Sequence, residues 1–189
     1  MRKSIIAILM TFCLSIMTYA QTPRDRATEL KEQAQSSLNQ KDYIKARYLF
    51  KKAYEAFATR ENYPQAIECG VQANALYVRE NFYKEGFELC RDMDQLIWAG
   101  EQNQKKVFYD LRFLVNKERL QMYTALKNPA QAKTQLNKLE ETANLAKNDS
   151  LTEVLLYTKA NYYYTFNQNT QGDACFRKLI NQYKEKKDY

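Results

Sequence analysis

The side chains of this 189-residue chain that could do chemistry are lysines, carboxylates, amides, 15 tyrosines and four cysteines, and histidine is absent. That absence removes the commonest neutral-pH base, the usual nitrogen metal ligand and the histidine phosphoacceptor. No glycine-rich phosphate loop, GxSxG elbow or HExxH pair is present. The paired carboxylates Glu140 and Glu141 are adjacent, and neighbours on a helix point in different directions, unlike an acid and a base aimed at one atom. Beyond residue 20 the cysteines are Cys69, Cys90 and Cys175, an odd set without CxxC spacing, so neither a disulfide framework nor a zinc site is indicated. Cys90 and Cys175 read as small buried hydrophobes, while a Cys69–Cys90 bridge stays open for an oxidising compartment. Asp149-Ser150-Leu151 has the form of the short Asp-Ser/Thr-aliphatic acceptor of bacterial O-glycosylation. Ser150-Leu151-Thr152-Glu153 is equally a helix-capping box, which is the favoured reading. No catalytic residue, metal site or cofactor is expected; the remaining chemistry is recognition.

Recognition needs elements to display it. Tyr43, Ala46, Phe50 and Ala53 stand at i, i+3, i+7 and i+10, one stripe of an α-helix with small residues where a neighbour must come close. Tyr83, Gly86, Cys90 and Met93 repeat that stripe, and looser copies run from Asn128 through Ala132 to Leu139 and from Thr170 through Gly172 to Leu179. The small residues Ala46, Gly86, Ala132 and Gly172 are 40, 46 and 40 residues apart. About twelve residues before each stand Ala34, Asn74, Leu120 and Ala160, small only in the first and last copies.

Punctuation supports regular helical hairpins over an irregular bundle with chance recurrence. Asn128-Pro129 supplies an N-cap and first-turn proline, Pro64 opens a helix at Gln65, and Thr170 with Asp173 repeats the capping logic of Ser150. Gly100 is expected to end a helix after Leu96-Ile97-Trp98. With 4 Gly and 3 Pro and no alternating apolar run bounded by turns, strands have little support. The expected class is all-α.

The N-terminus follows another logic. Arg2 and Lys3 precede an apolar run from Ile5 to Met17, then Thr18-Tyr19-Ala20 before Gln21, the charge, core and small-residue order of a secretory signal. A permanent span needs about 20 apolar residues, so cleavage after Ala20 is expected, with an uncleaved anchor as the alternative. Cys13 follows Phe12, where lipid attachment uses Gly or Ala, so lipidation is not expected. Residues 1–20 thus read as a signal peptide and 21–189 as one exported helical domain of the periplasm or cell envelope. Loss of Arg2 and Lys3 lowers the basic count from 29 to 27 against 22 acidic residues, a dispersed formal +5. That dispersion, with export, argues against a nucleic-acid partner.

Lys41 to Ala53 resembles the second helix of a tetratricopeptide repeat, and the resemblance extends over roughly residues 26 to 185. The copies exceed the roughly 34 residues of that family's unit, which is read as longer helices or loops. The resemblance implies an α-α superhelix of about four hairpins whose first helices line a concave groove. Repeat positions five and nine then place Lys31, Val71, Lys117 and Tyr157, and Gln35, Ala75, Gln121 and Asn161, toward it. Lys31 with Gln35 and Lys117 with Gln121 are similar to a carboxylate clamp of the family, from which Ala75 departs. Arg79 adds a cation and the Tyr162-Tyr163-Tyr164 run adds rings; Tyr164 and Tyr157 share a face with Asn161. The groove candidates are Lys31, Gln35, Arg79, Lys117, Gln121, Tyr157, Asn161 and Tyr164.

The last helix carries Phe176, Leu179, Ile180 and Tyr183 without a polar cap, which solenoids require, and the chain stops at Lys187-Asp188-Tyr189, a copy of Lys41-Asp42-Tyr43. The expectation is either a piece of a longer array or a second subunit on the last hairpin. In style the chain resembles the extracytoplasmic sensor portion of membrane-bound regulators in the Bacteroidetes, which would bring membrane contact only through the signal segment or a missing C-terminal region. Two readings stay open: a non-catalytic module binding a protein or peptide, and a structural or carbohydrate-binding envelope factor.

Overall fold

The computed structural model describes residues 25–187; the expected signal peptide with its cleavage site, Cys13 and the closing Asp188-Tyr189 lie outside them. Eight helices follow in order: α1 (Arg26–Asn39), α2 (Tyr43–Thr59), α3 (Tyr63–Arg79), α4 (Tyr83–Gln104), α5 (Tyr109–Ala125), α6 (Pro129–Ala146), α7 (Asp149–Thr165) and α8 (Asn169–Lys187). No strand occurs among the described residues. Each helix packs chiefly on its sequence neighbours, and α3 also meets α5, and α5 meets α7. The result is an α-α superhelical repeat.

One turn design makes six of the seven connections, and the longer α4–α5 link shares its left-handed stop but not a cap immediately after it. Each contains one residue in the left-handed region, Lys41, Glu61, Asn81, Lys105, Lys127, Lys147 and Asn167, with φ from 50° to 62°. The amide three places beyond the helix bonds back five residues, as in Asp42 N–H to Ser37 O (2.9 Å), Asn62 to Phe57 (3.0 Å), Phe82 to Tyr77 (2.9 Å) and Asn128 to Tyr123 (3.0 Å). This is the Schellman closure of a helix end. The same residue then caps the next helix: Asp42 accepts from Lys45 N–H (3.2 Å), Asn62 from Gln65 (3.4 Å), Asn128 from Gln131 (3.1 Å) and Asn148 from Ser150 (3.0 Å). Stop and start thus share two residues. The turns recur every 20 residues except around α4 and α5, where the spacings are 24 and 22; those six extra residues are the excess of the 46-residue copy.

Three punctuation expectations fail locally, and a fourth, the helix start at Gln65, is displaced by two residues. Ser150 is no cap, because Asn148 takes that role and places Asp149, Ser150 and Leu151 in the first turn of α7. Thr170 likewise lies inside α8, which begins at Asn169, and α3 begins at Tyr63, with Pro64 in its first turn. Gly100 does not stop α4, which continues to Gln104. A Cβ on Gly100 would come within 2.8 Å of Phe108 Cε2 and 3.0 Å of the Tyr63 ring, so glycine is there for close approach. The Cys69–Cys90 bridge is absent; both thiols are free and buried, and burial pushes them up to about 11 and about 12 respectively.

The core has two clusters. One contains Phe50, Ile67, Met93 and Ile97 from α2 to α4, and the other Leu136, Leu139 and Leu155 from α6 and α7. α5 belongs to both, giving Val115 and Met122 to the first and Phe113 and Leu120 to the second. Burial on two sides explains why its sequence matches the repeat poorly. The junction before it is clamped by Glu101, which is buried and accepts from Phe108 N–H (2.9 Å) and Arg112 Nε (2.7 Å). The Arg112 hydrogen bond holds the Glu101 carboxyl below its usual range, against the opposing effect of burial.

Two measurements follow. In an open helix Gly→Ala stabilises by about 0.5–1 kcal/mol, whereas Gly100→Ala should destabilise by about 1–3 kcal/mol in urea unfolding because Tyr63 and Phe108 must move. For Glu101, a depressed carboxyl stabilises fully above the unfolded value of about 4.3 and loses that contribution as pH falls through the folded value. Urea midpoints of the parent and Glu101→Gln should therefore converge as pH is lowered from about 6 to about 3; a constant gap would place the effect in packing instead.

Candidate binding groove

The odd helices α5 and α7 touch less extensively than α3 and α5 do, and a groove of about 390 Å³ opens between them. Leu120 lies where the repeat calls for a small residue; it is fully buried and contributes to the groove lining. Four sequence-predicted residues come together here: Lys117 and Gln121 from α5, and Tyr157 and Asn161 from α7. Tyr157 is 54% exposed and sets its ring edge-on to Phe176, with centroids 6.1 Å apart.

The other four candidates lie elsewhere. Lys31 Nζ donates to Gln65 Oε1 (2.8 Å) and pairs with Glu68 Oε2 (2.7 Å), tying α1 to α3. Gln35 donates to Asn39 within α1 (3.1 Å). Arg79 lays its guanidinium 4.0 Å from the centroid of the Tyr43 ring, a cation–π contact. Tyr164 stacks on Phe176, covers Gly172 and donates its hydroxyl to Asp173, a hydrogen bond that raises the tyrosine's pKa.

The groove also takes Thr124, Lys127 and Thr165, which sequence reasoning missed. Helical spacing from Gln121 and Asn161 reaches Thr124 and Thr165, so those two were within reach. Lys127 is the left-handed residue of the α5–α6 turn, and only the 20-residue turn pattern would have found it.

Charge separates this groove from a second one. The α5–α7 lining contains Lys117 and Lys127 and no carboxylate. The groove of about 510 Å³ between α4, α5 and α6, walled by Trp98, mixes Arg112, Arg119 and Lys138 with Asp94 and Glu141. There Arg119 pairs with Asp94 and bonds to Cys90 O at 2.9 Å.

A buried polar link supports the α5 wall. Asn74 occupies another position where the repeat calls for a small residue, is fully buried, and donates from Nδ2 to Glu118 Oε2 (3.1 Å). Glu118 is itself 1% exposed, and its other oxygen lies 3.1 Å from Lys117 Nζ. Gly86 makes room for the amide: a Cβ there would sit 3.0 Å from Asn74 Oδ1 and 2.8 Å from Met122 Sδ. An unpaired buried charge is strongly destabilising, so the chain Asn74–Glu118–Lys117 fixes α5 against α3 and positions one groove lysine.

Among the described residues no group of three or more Cys, Asp or Glu could hold a metal ion, and no helix is long and apolar enough to cross a membrane. No protein-family model, curated protein or solved structure matches the chain.

Glu118→Ala should cost about 2–3 kcal/mol, since it orphans the Asn74 amide and leaves a cavity, while Glu118→Gln keeps an acceptor and should recover more than half. Urea unfolding of both variants checks this; equal losses would show that the ion pair with Lys117, and not the amide bond, holds the wall.

Proposed function

We propose that this chain is a non-catalytic, tetratricopeptide-like interaction module of the cell envelope that binds an extended acidic segment of a protein partner between α5 and α7. The observation carrying the reading is a groove of ligand size with two lysines, no carboxylate and several uncharged hydrogen-bonding groups. Gln121, Asn161, Thr124 and Thr165 can serve the donors and acceptors of a peptide backbone, and Lys127 favours acidic side chains, with Lys117 beside it already paired to Glu118. Leu120, Val154 and Tyr157 provide apolar surface between them, the mixture common to binding clefts. The leader-like order of residues 1–20 supports export, and a sensory role within a larger signalling protein is compatible with such a module.

Peptide display against the folded protein tests the reading. Selected sequences should be enriched in Asp and Glu, and binding should weaken with added salt. Gln121→Glu with Lys127→Glu should lower affinity at least about tenfold while circular dichroism stays unchanged, since both side chains are exposed in the groove and neither pairs with buried Glu118. Enrichment of neutral or basic sequences, or undiminished binding by the double variant, would overturn the assignment. Retention of the parent on peptidoglycan or polysaccharide, with no peptide selected, would favour the carbohydrate-binding alternative.

A further inference from the structure

The trough walled by Trp98 lies on a different face of α5 from the peptide groove. α4 and α6 each pack on α5 but hardly on one another, so α5 floors a space of about 510 Å³ between them. Trp98 is the only tryptophan of the chain and is 61% exposed. The helix stack does not call for it: at the same register, twelve residues beyond the small residue, α2 has Ala58 and α6 has Asn144. No ring or cation stacks on it among the described residues, and the half-exposed Val107 and Leu145 extend its apolar surface. The charges nearby are balanced and mostly fixed. Glu101 holds Arg112 and Asp94 holds Arg119, while Lys138 and Glu141, exposed and three residues apart on α6, form no ion pair among the described residues. Asn116, which donates to Thr142 (3.4 Å), completes the polar floor.

We infer that this trough is a second binding site, for a short neutral oligosaccharide. An anion entering it would meet Asp94 and Glu141, and a cation would meet three basic groups. A purely apolar chain would strip water from those charges and put nothing in its place. A sugar chain suits both halves of the lining. Its hydroxyls donate and accept at once, so one can serve a carboxylate while its neighbour serves a guanidinium or ammonium, as Asp94 beside Arg119 and Glu141 beside Lys138 require. The C–H groups on one face of a pyranose carry slight positive charge and pack on the negative face of an indole ring. A few polar groups set around an apolar wall, in a space of this volume, match the composition of ligand clefts. The site is independent of the α5–α7 groove and of the partner that groove takes.

Because the chain has one tryptophan, its emission reports this trough alone. Cellotetraose, maltotetraose and chitotetraose, each titrated into the full chain up to about 10 mM, are the probes. At least one should shift the emission to shorter wavelength, saturably, and to the same extent at about 0.05 and about 0.5 M NaCl, since no net charge is involved. By calorimetry Trp98→Ala should bind that saccharide at least about tenfold more weakly with the circular dichroism of the parent, and Trp98→Tyr should recover most of the loss. Glu141→Ala should weaken binding severalfold. Gln121→Glu with Lys127→Glu should leave it unchanged, which separates this site from the peptide groove. Silence toward all three saccharides, equal binding by Trp98→Ala, or binding that fades with salt would overturn the proposal.

Discussion

The architecture depends on a backbone device: a single left-handed residue that ends one helix and, at six of the seven connections, hands the chain within one further residue to the cap of the next. Non-glycine side chains occupy that conformation at all seven turns, at roughly 1–2 kcal/mol each. The return bonds to the preceding helix and, at four of the turns, the Asp or Asn cap of the following one offset that strain. Because connections within and between hairpins use the same device, neighbouring helices are forced antiparallel throughout. The side chains then have only to supply a stripe for each contact.

α5 is where that regularity serves the groove. It is buried against α3 and α4 on one side and α6 and α7 on the other, so it cannot be amphipathic in the ordinary way. The α4–α5 connection is also the longest, and Phe108 at its end offers no capping side chain. Glu101 substitutes for the missing cap by taking the Phe108 amide directly. Asn74 and Glu118 add a hydrogen bond inside the core that has one partner geometry, where apolar packing alone would tolerate sliding. Lys117 is thereby placed by a neighbouring carboxylate that Asn74 holds in the core.

What could be read from the sequence was what close packing dictates. Ala46, Gly86, Ala132 and Gly172 are all buried, as are Ala34, Asn74, Leu120 and Ala160, because helix approach leaves little freedom at those places. The turns were harder to see, since Lys, Glu and Asn alternate at the left-handed position and Asp or Asn follows it at only four of the seven. Gly100 and Ser150 show the limit of local rules: two aromatic rings distant in sequence claim the glycine, and Asn148 outcompetes the serine two residues later. Among the groove candidates, Lys117, Gln121, Tyr157 and Asn161 follow from helical phase. Lys31 and Arg79 point to partners, Glu68 and Tyr43, that phase alone does not reveal.

The near-neighbour packing of the helices has a kinetic consequence. Almost every contact joins segments within about one hairpin of each other, so little loop-closure entropy precedes the first rewarding contacts, and low contact order goes with fast folding. A stack of this kind can nucleate at any hairpin and propagate. α5, shared by both cores, is the bottleneck through which that propagation must pass, so the order of events along the chain is set at its middle and not at its ends.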